Sequence, residues 1–209
     1  MSKSKLRKRS YCARSVIPLT AAERHLSAVD FTLGTLIVDQ LARWPSQPTE
    51  DPIWGLMRIV IAQQVSTVVA CRLAKRASCA FPYLMTPSSD SAPDPTGLRA
   101  LGLSRRRVDC CAEIVRRSDE IREKIKQGQS WEQALAGIKG IGPWTISVFR
   151  IMVLREPDVL PLGDVGLERA VTNVYGSGSK VERLSEAWRP FRSVACWYLW
   201  RTLGNEQLG

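Results

Sequence analysis

The sequence is poor in the residues from which relay and metal centres are usually built. It contains one histidine, His25, in 209 residues. One imidazole cannot supply a His-rich metal centre, or a Ser–His relay that needs a second essential histidine. His25 itself reads as a surface or capping residue. Six cysteines are present, Cys12, Cys71, Cys79, Cys110, Cys111 and Cys196, but no two are spaced as C-x-x-C. Neither a disulfide framework nor a zinc site is expected, and the thiols point to a reducing cytosol. No apolar run approaches the roughly 20 residues of a membrane span. The N-terminus has no apolar stretch of the kind a secretory signal carries. Alternating apolar–polar strands and internal repeats are also missing.

What is present is positive charge and helical periodicity. Lys and Arg number 30 against 20 Asp and Glu, a net charge of +10. That balance suits a polyanionic partner. Residues 1–18 form a basic arm, with Lys3, Lys5, Lys8 and three arginines and no acid before Ser15. It reads as a solvated tail or as an arm that touches DNA. A composition of 44% hydrophobic and 24% charged residues is that of a globular domain.

Helix signals recur along the rest of the chain. Thr20-Ala21-Ala22-Glu23 has the form of a capping box. Asp30 caps a stripe of Leu33, Leu36, Ile37 and Leu41. Asp51-Pro52 is an N-cap followed by proline at the first helical position, and its apolar stripe continues towards Val68. Residues 82–97, with Pro82, Pro87, Pro93 and Pro95, read as a loop. Ser104 opens another helix, Ser130-x-x-Gln133 repeats the capping-box pattern, and a last helix spans roughly Pro190 to Leu203. The expected fold class is all-α.

Two segments carry chemistry. In Ile138-Lys139-Gly140-Ile141-Gly142-Pro143-Trp144-Thr145 two glycines separate two helices. Gly140 and Gly142 permit a tight turn, and Pro143 starts a helix whose first amides lack partners. Backbone N–H groups at a helix N-terminus attract an anion such as a DNA phosphate. The plainer explanation is an ordinary helical corner, and these residues alone leave both open. Downstream, Gly163-Asp164-Val165 places a carboxylate at an N-cap. Capping alone would explain Asp164. An acidic group there also suits N-glycosidic cleavage, in which the sugar becomes oxocarbenium-like as the base departs.

Together with Ile61-Ala62-Gln63-Gln64-Val65-Ser66, Leu101-Gly102-Leu103-Ser104-Arg105-Arg106-Arg107 and Trp188 to Arg201, these segments resemble the helix-hairpin-helix DNA glycosylases. The branch they resemble is that of DNA-3-methyladenine glycosylase II, from about His25 to Arg201. The resemblance implies two helical lobes flanking a cleft. A central lobe of about 51–160 would contain the hairpin at 135–145. The second lobe would combine the N-terminal helices with about 161–205. Asp164 would be the catalytic carboxylate. Trp144, Trp200, Trp54 and Val148 would line the base pocket, although core packing explains the tryptophans equally from sequence. Val148 stands where a relative has tyrosine, which implies a differently shaped pocket. Gln64, with Gln63 as fallback, would fill the gap left by an extruded base. Lys139, Gly140, Ile141, Gly142 and Thr145 would hold phosphate, and Na⁺ or K⁺ could sit on the carbonyls of Ile138 and Ile141.

Departures from the family pattern refine the expectation. The position of the Schiff-base lysine in bifunctional members is Trp144, so no lyase step is expected. One C-terminal cysteine cannot hold an iron–sulfur cluster. The expected enzyme is a monomeric, monofunctional glycosylase that needs no cofactor. It would act on double-stranded DNA and excise 3-methyladenine or 7-methylguanine, in the cytosol if the source is bacterial. Hypoxanthine, ethenoadenine and mismatch products remain alternative lesions. A non-catalytic module that binds DNA through the hairpin is the alternative of a different class.

Overall fold

The computed structural model describes residues 18–40, 42–65, 67–90 and 94–204. The basic arm up to Ile17, Leu41, Ser66 and Pro93 lie outside the described residues. Twelve α-helices and no strand occur among those described. In chain order they are α1 (Ala21–Val29), α2 (Phe31–Asp39), α3 (Pro52–Ala62), α4 (Thr67–Ala80), α5 (Pro95–Ala100) and α6 (Arg105–Arg116). There follow α7 (Ser118–Lys126), α8 (Trp131–Ala134), α9 (Pro143–Met152), α10 (Val165–Tyr175), α11 (Val181–Ser185) and α12 (Arg192–Arg201).

The helices start where side chains satisfy the orphan amides of their first turns. Thr20 and Glu23 make both bonds of a capping box, as do Ser130 and Gln133. Asp30, Asp51 and Asp164 each accept from a backbone N–H of the helix they precede. Ser104 begins α6 without a side-chain cap.

Several expectations are corrected. The stripe from Asp51 does not run on to Val68: α3 stops at Ala62, Gln64 takes φ +58°, and α4 starts at Thr67. Periodicity survives the break because both helices face one core, so the pattern alone hides it. The segment 82–97 is not all loop. Pro82–Met85 makes a 3₁₀ turn, and Asp94 accepts from the amides of Thr96 and Gly97 to start α5. The last helix begins at Arg192, not Pro190. His25 is neither a surface nor a capping residue. It is half-buried within α1, and its ring meets Phe191 edge-on at 5.4 Å.

Two apolar cores organise the fold. The first joins α3 to α9, with Ile53, Leu56, Met57, Leu98, Cys111, Ile114 and Phe149 fully buried. The second joins α1, α2, α10, α11 and α12 around Leu26, Leu33, Trp188 and Tyr198. Each such apolar side chain contributes roughly 1.5–3 kcal/mol on burial. Helix α9 serves both cores: Phe149 lies in the first, Ile151 in the second, and Val148 and Met152 pack against each. The side chains at the start of α9 therefore face the junction between the two.

Candidate active site

Asp164 lies at that junction, 8% exposed, at the N-cap of α10. Its Oδ1 accepts the Leu167 amide at 2.6 Å and the Trp200 indole N–H at 3.0 Å. Its Oδ2 accepts the Trp144 indole N–H at 2.6 Å. Trp144 comes from the first turn of α9 and Trp200 from the last turn of α12. The carboxylate is therefore oriented by three separate helices. A carboxylate offers about four lone-pair sites, so three donors leave Oδ2 one site for a water or a sugar. Gly166 leaves space for this arrangement. A Cβ there would lie 3.1 Å from Oδ1 and 3.8 Å from the Trp200 ring.

Hydrogen bonding alone does not mark Asp164 as functional. Asp30 caps α2, and its Oδ2 accepts both Tyr175 Oη at 2.7 Å and Trp188 Nε1 at 2.9 Å. The difference is the space beside Asp164. A cavity of about 470 Å³ opens there, within the roughly 300–1,000 Å³ typical of ligand sites. Trp54, Trp144, Val148 and Trp200 line it together with Asp164. Trp54 and Trp200 are also core residues, so packing and cavity lining are both true of them. Trp144 is the exposed wall, at 36%.

The hairpin lies directly before α9, the helix that carries Trp144. Gly140 takes φ +101°, a region costly for residues with a Cβ, and a Cβ there would lie 3.2 Å from Cys110 Sγ. Gly142 has φ −111° and open space around it, so its role as N-cap of α9 does not demand glycine. Gly137, at φ +81°, is a second left-handed position that the two-glycine reading missed. Lys139 is exposed, Ile141 packs on the first core, and Thr145 is buried. Gln63 Nε2 donates to the Gly140 carbonyl at 3.2 Å and to Thr145 Oγ1 at 3.0 Å. Its own carbonyl accepts from the Arg107 guanidinium. Gln63 thus ties the α3–α4 break to the hairpin, while the neighbouring Gln64 is exposed. The Ile138 carbonyl accepts the Ile141 amide at 3.2 Å and retains a lone pair.

Among the cavity residues that the sequence does not single out are Glu50, Arg58, Lys75 and Gly166. Only Gly166 left a signal, as a small residue two positions after Asp164. Arg58 and Lys75 look like ordinary solvated positions on amphipathic helices until the cores are placed.

No protein-family model matches the chain. DNA-3-methyladenine glycosylase 1 of Schizosaccharomyces pombe is 30% identical over 206 residues, covering 90% of this chain and 89% of that protein. The alkylbase DNA glycosidase-like protein Mag2 of the same yeast is 28% identical over 201 residues, 86% of this chain and 92% of that one. Among solved structures, the yeast 3-methyladenine DNA glycosylase Mag1 in complex with abasic DNA superposes with a TM-score of 0.74 at 28% identity. That match covers 88% of this chain and 97% of the other.

Proposed function

Because the chain belongs to the DNA-3-methyladenine glycosylase family, we propose that it is a monofunctional DNA glycosylase. It hydrolyses the N-glycosidic bond of alkylated purines, 3-methyladenine and 7-methylguanine, and so begins base excision repair. The observation that carries this reading is the placement of Asp164, held by the Trp144 and Trp200 indoles at the mouth of a cavity with aromatic walls.

The geometry supports a simple course. A base extruded from the duplex enters the cavity and stacks against indole faces. A purine alkylated at N3 or N7 is cationic and gains cation–π attraction there. The C1′–N9 bond breaks, its electron pair leaves with the base, and the alkylated purine departs neutral. Positive charge moves to the sugar, where the fixed Asp164 carboxylate opposes it. Water adds to C1′ and releases a proton, leaving an abasic site with an intact backbone. A cationic base is already a good leaving group, so no general acid is required.

The hairpin grips phosphate through the unpaired amides at the start of α9, with Lys139 adding charge. A monovalent cation, Na⁺ or K⁺, on the Ile138 and Ile141 carbonyls would strengthen that grip. Gln64 fills the gap in the duplex. Its exposure and positive φ at a helix break are the kind of local strain that functional positions tolerate. The enzyme works as a monomer without a required cofactor. No described helix is long and apolar enough to cross a membrane; in a bacterial cell the enzyme acts in the cytosol and nucleoid. The test is direct: incubate methylated DNA with the protein and identify the released bases by chromatography. Release of 3-methyladenine and 7-methylguanine supports the reading, and DNA binding without release would favour a non-catalytic module.

A further inference from the structure

The cavity extends beyond the space between Trp144 and Trp200. Its far end is closed by Glu50 and Arg58, which form an ion pair at 2.9 Å between Arg58 Nη1 and Glu50 Oε2. The position of this pair follows from α9. A Cβ on Gly55 would lie 2.5 Å from Val153 Cγ1 and 3.2 Å from Glu50 Oε1, so Glu50 sits beside Val153. Val153 follows Trp144 by nine residues, about 13 Å of helix at roughly 1.5 Å per residue. Asp164 and Glu50 therefore stand at opposite ends of one cavity, with Trp54, Val148 and Met152 among the apolar side chains lining it.

The pair is only half used within the protein. Glu50 Oε2 accepts from Arg58, whereas Oε1 has no donor among the described residues. The side chains of Arg58 and Glu50 are 41% and 19% exposed, so both reach the cavity space. Glu50 and Arg58 also act electrostatically on Arg155, whose buried guanidinium lies over the Trp44 ring at 5.3 Å. Glu50 Oε1 lies beside Gly55, which itself lines the cavity.

We propose that Glu50, held by Arg58, is the specificity-determining residue that reads the Watson–Crick edge of the flipped purine. The inference rests on the glycosylase reading and names the group that selects within it. A purine whose glycosidic nitrogen lies at Asp164 must direct the opposite edge of its ring down the cavity. Every unmodified purine edge carries one N–H donor beside one acceptor: N6–H and N1 in adenine types, N1–H and O6 in guanine types and hypoxanthine. A carboxylate accepts and a guanidinium donates, so the pair matches either pattern. Groups that discriminate by hydrogen bonding reject ligands that leave them unpaired. 1,N6-Ethenoadenine is such a ligand, because its extra ring replaces the N–H donors on that edge.

The experiment compares wild type, Glu50→Ala and Glu50→Gln on DNA containing 3-methyladenine or 1,N6-ethenoadenine. The readout is the ratio of kcat/KM for the two lesions. In Glu50→Ala that ratio falls by about tenfold or more, the scale of one hydrogen bond to a charged group. Glu50→Gln, which keeps an acceptor, recovers part of it. Equal losses on both lesions, or an unchanged ratio, overturn the proposal and leave Glu50 a structural partner of Arg58. Calorimetric titration with the two free bases tests the same residue without catalysis. Wild type prefers free 3-methyladenine and Glu50→Ala loses the preference; no difference between them overturns the proposal. Absence of base release by wild type would instead count against the glycosylase reading, and the titration would still decide the role of Glu50.

Discussion

Trp144 Nε1 donates to Asp164 Oδ2 at 2.6 Å, across the junction between the two cores. One side chain therefore belongs both to the helix that follows the hairpin and to the carboxylate proposed to act on the sugar. The proposed grip on the DNA backbone and the proposed orientation of the reacting group are coupled through it.

Trp144→Phe separates the two duties of that side chain. It keeps an aromatic wall and removes the hydrogen bond to Oδ2. Hydrogen bonds to charged groups contribute about 1.5–3 kcal/mol, so single-turnover base release should fall roughly tenfold or more. DNA affinity should stay within a few-fold. Unchanged release would mean that the indole N–H does not hold the carboxylate in the working state.

Legibility in the sequence differed between the two halves of the site. Capping chemistry is local, so Thr20, Asp30, Asp51, Ser130 and Asp164 announced their helices. The hairpin is visible through its glycines, but sequence does not tell which of them the turn constrains. Gly137 and Gly140 take the left-handed conformation and Gly142 does not. What local pattern cannot carry is which face of α3 and α4 meets the cleft. Hence Arg58 and Lys75 stay hidden, and the apolar stripe gives no sign of the break at Gln64. The burial of His25 is illegible for the same reason, because its partner Phe191 is distant in sequence.

The contrast between the two hairpin glycines can be measured. Gly140→Ala forces a Cβ into a left-handed conformation at 3.2 Å from Cys110 Sγ, at a cost of about 1–2 kcal/mol. The melting temperature should drop by a few degrees, and DNA affinity should weaken together with its salt dependence. Gly142→Ala meets open space at an ordinary φ and should melt close to wild type. Equal behaviour of the two variants would contradict the assignment of the constrained turn.

Borohydride should trap no covalent complex with DNA. The sequence drew attention to Lys139, which the structure leaves exposed at the hairpin. The amine that lines the cavity is Lys75, on α4. The product should be cut only after hot alkali or an added abasic endonuclease. A trapped adduct that disappears in Lys75→Ala would replace hydrolysis with an imine mechanism.

Stability should decline at alkaline pH. Burial pushes the Cys110 thiol up to about 11 from its ordinary 9.0, opposed by Arg106 and aided by Glu113. Burial raises Cys111 and Cys196 further. The folded state holds these protons more tightly than the unfolded chain. The Cys110 contribution is therefore complete below about pH 9 and is lost as pH rises through about 11, and the loss from Cys111 and Cys196 continues to higher pH. Melting temperatures recorded between pH 8 and 11 should fall along that window, less steeply in Cys110→Ala than in wild type. Parallel curves would remove Cys110 from the explanation.

The most direct test of the whole account is Asp164→Asn on methylated DNA. Asparagine keeps an oxygen to accept from Leu167 but loses the charge, and its NH₂ faces one of the indole donors. The folded protein should survive with a modest loss of melting temperature. Release of 3-methyladenine and 7-methylguanine should fall on the order of 100-fold or more, with DNA affinity within a few-fold of wild type. Near-wild-type release by a folded Asp164→Asn protein would show that this carboxylate only caps α10, and the catalytic assignment would be wrong.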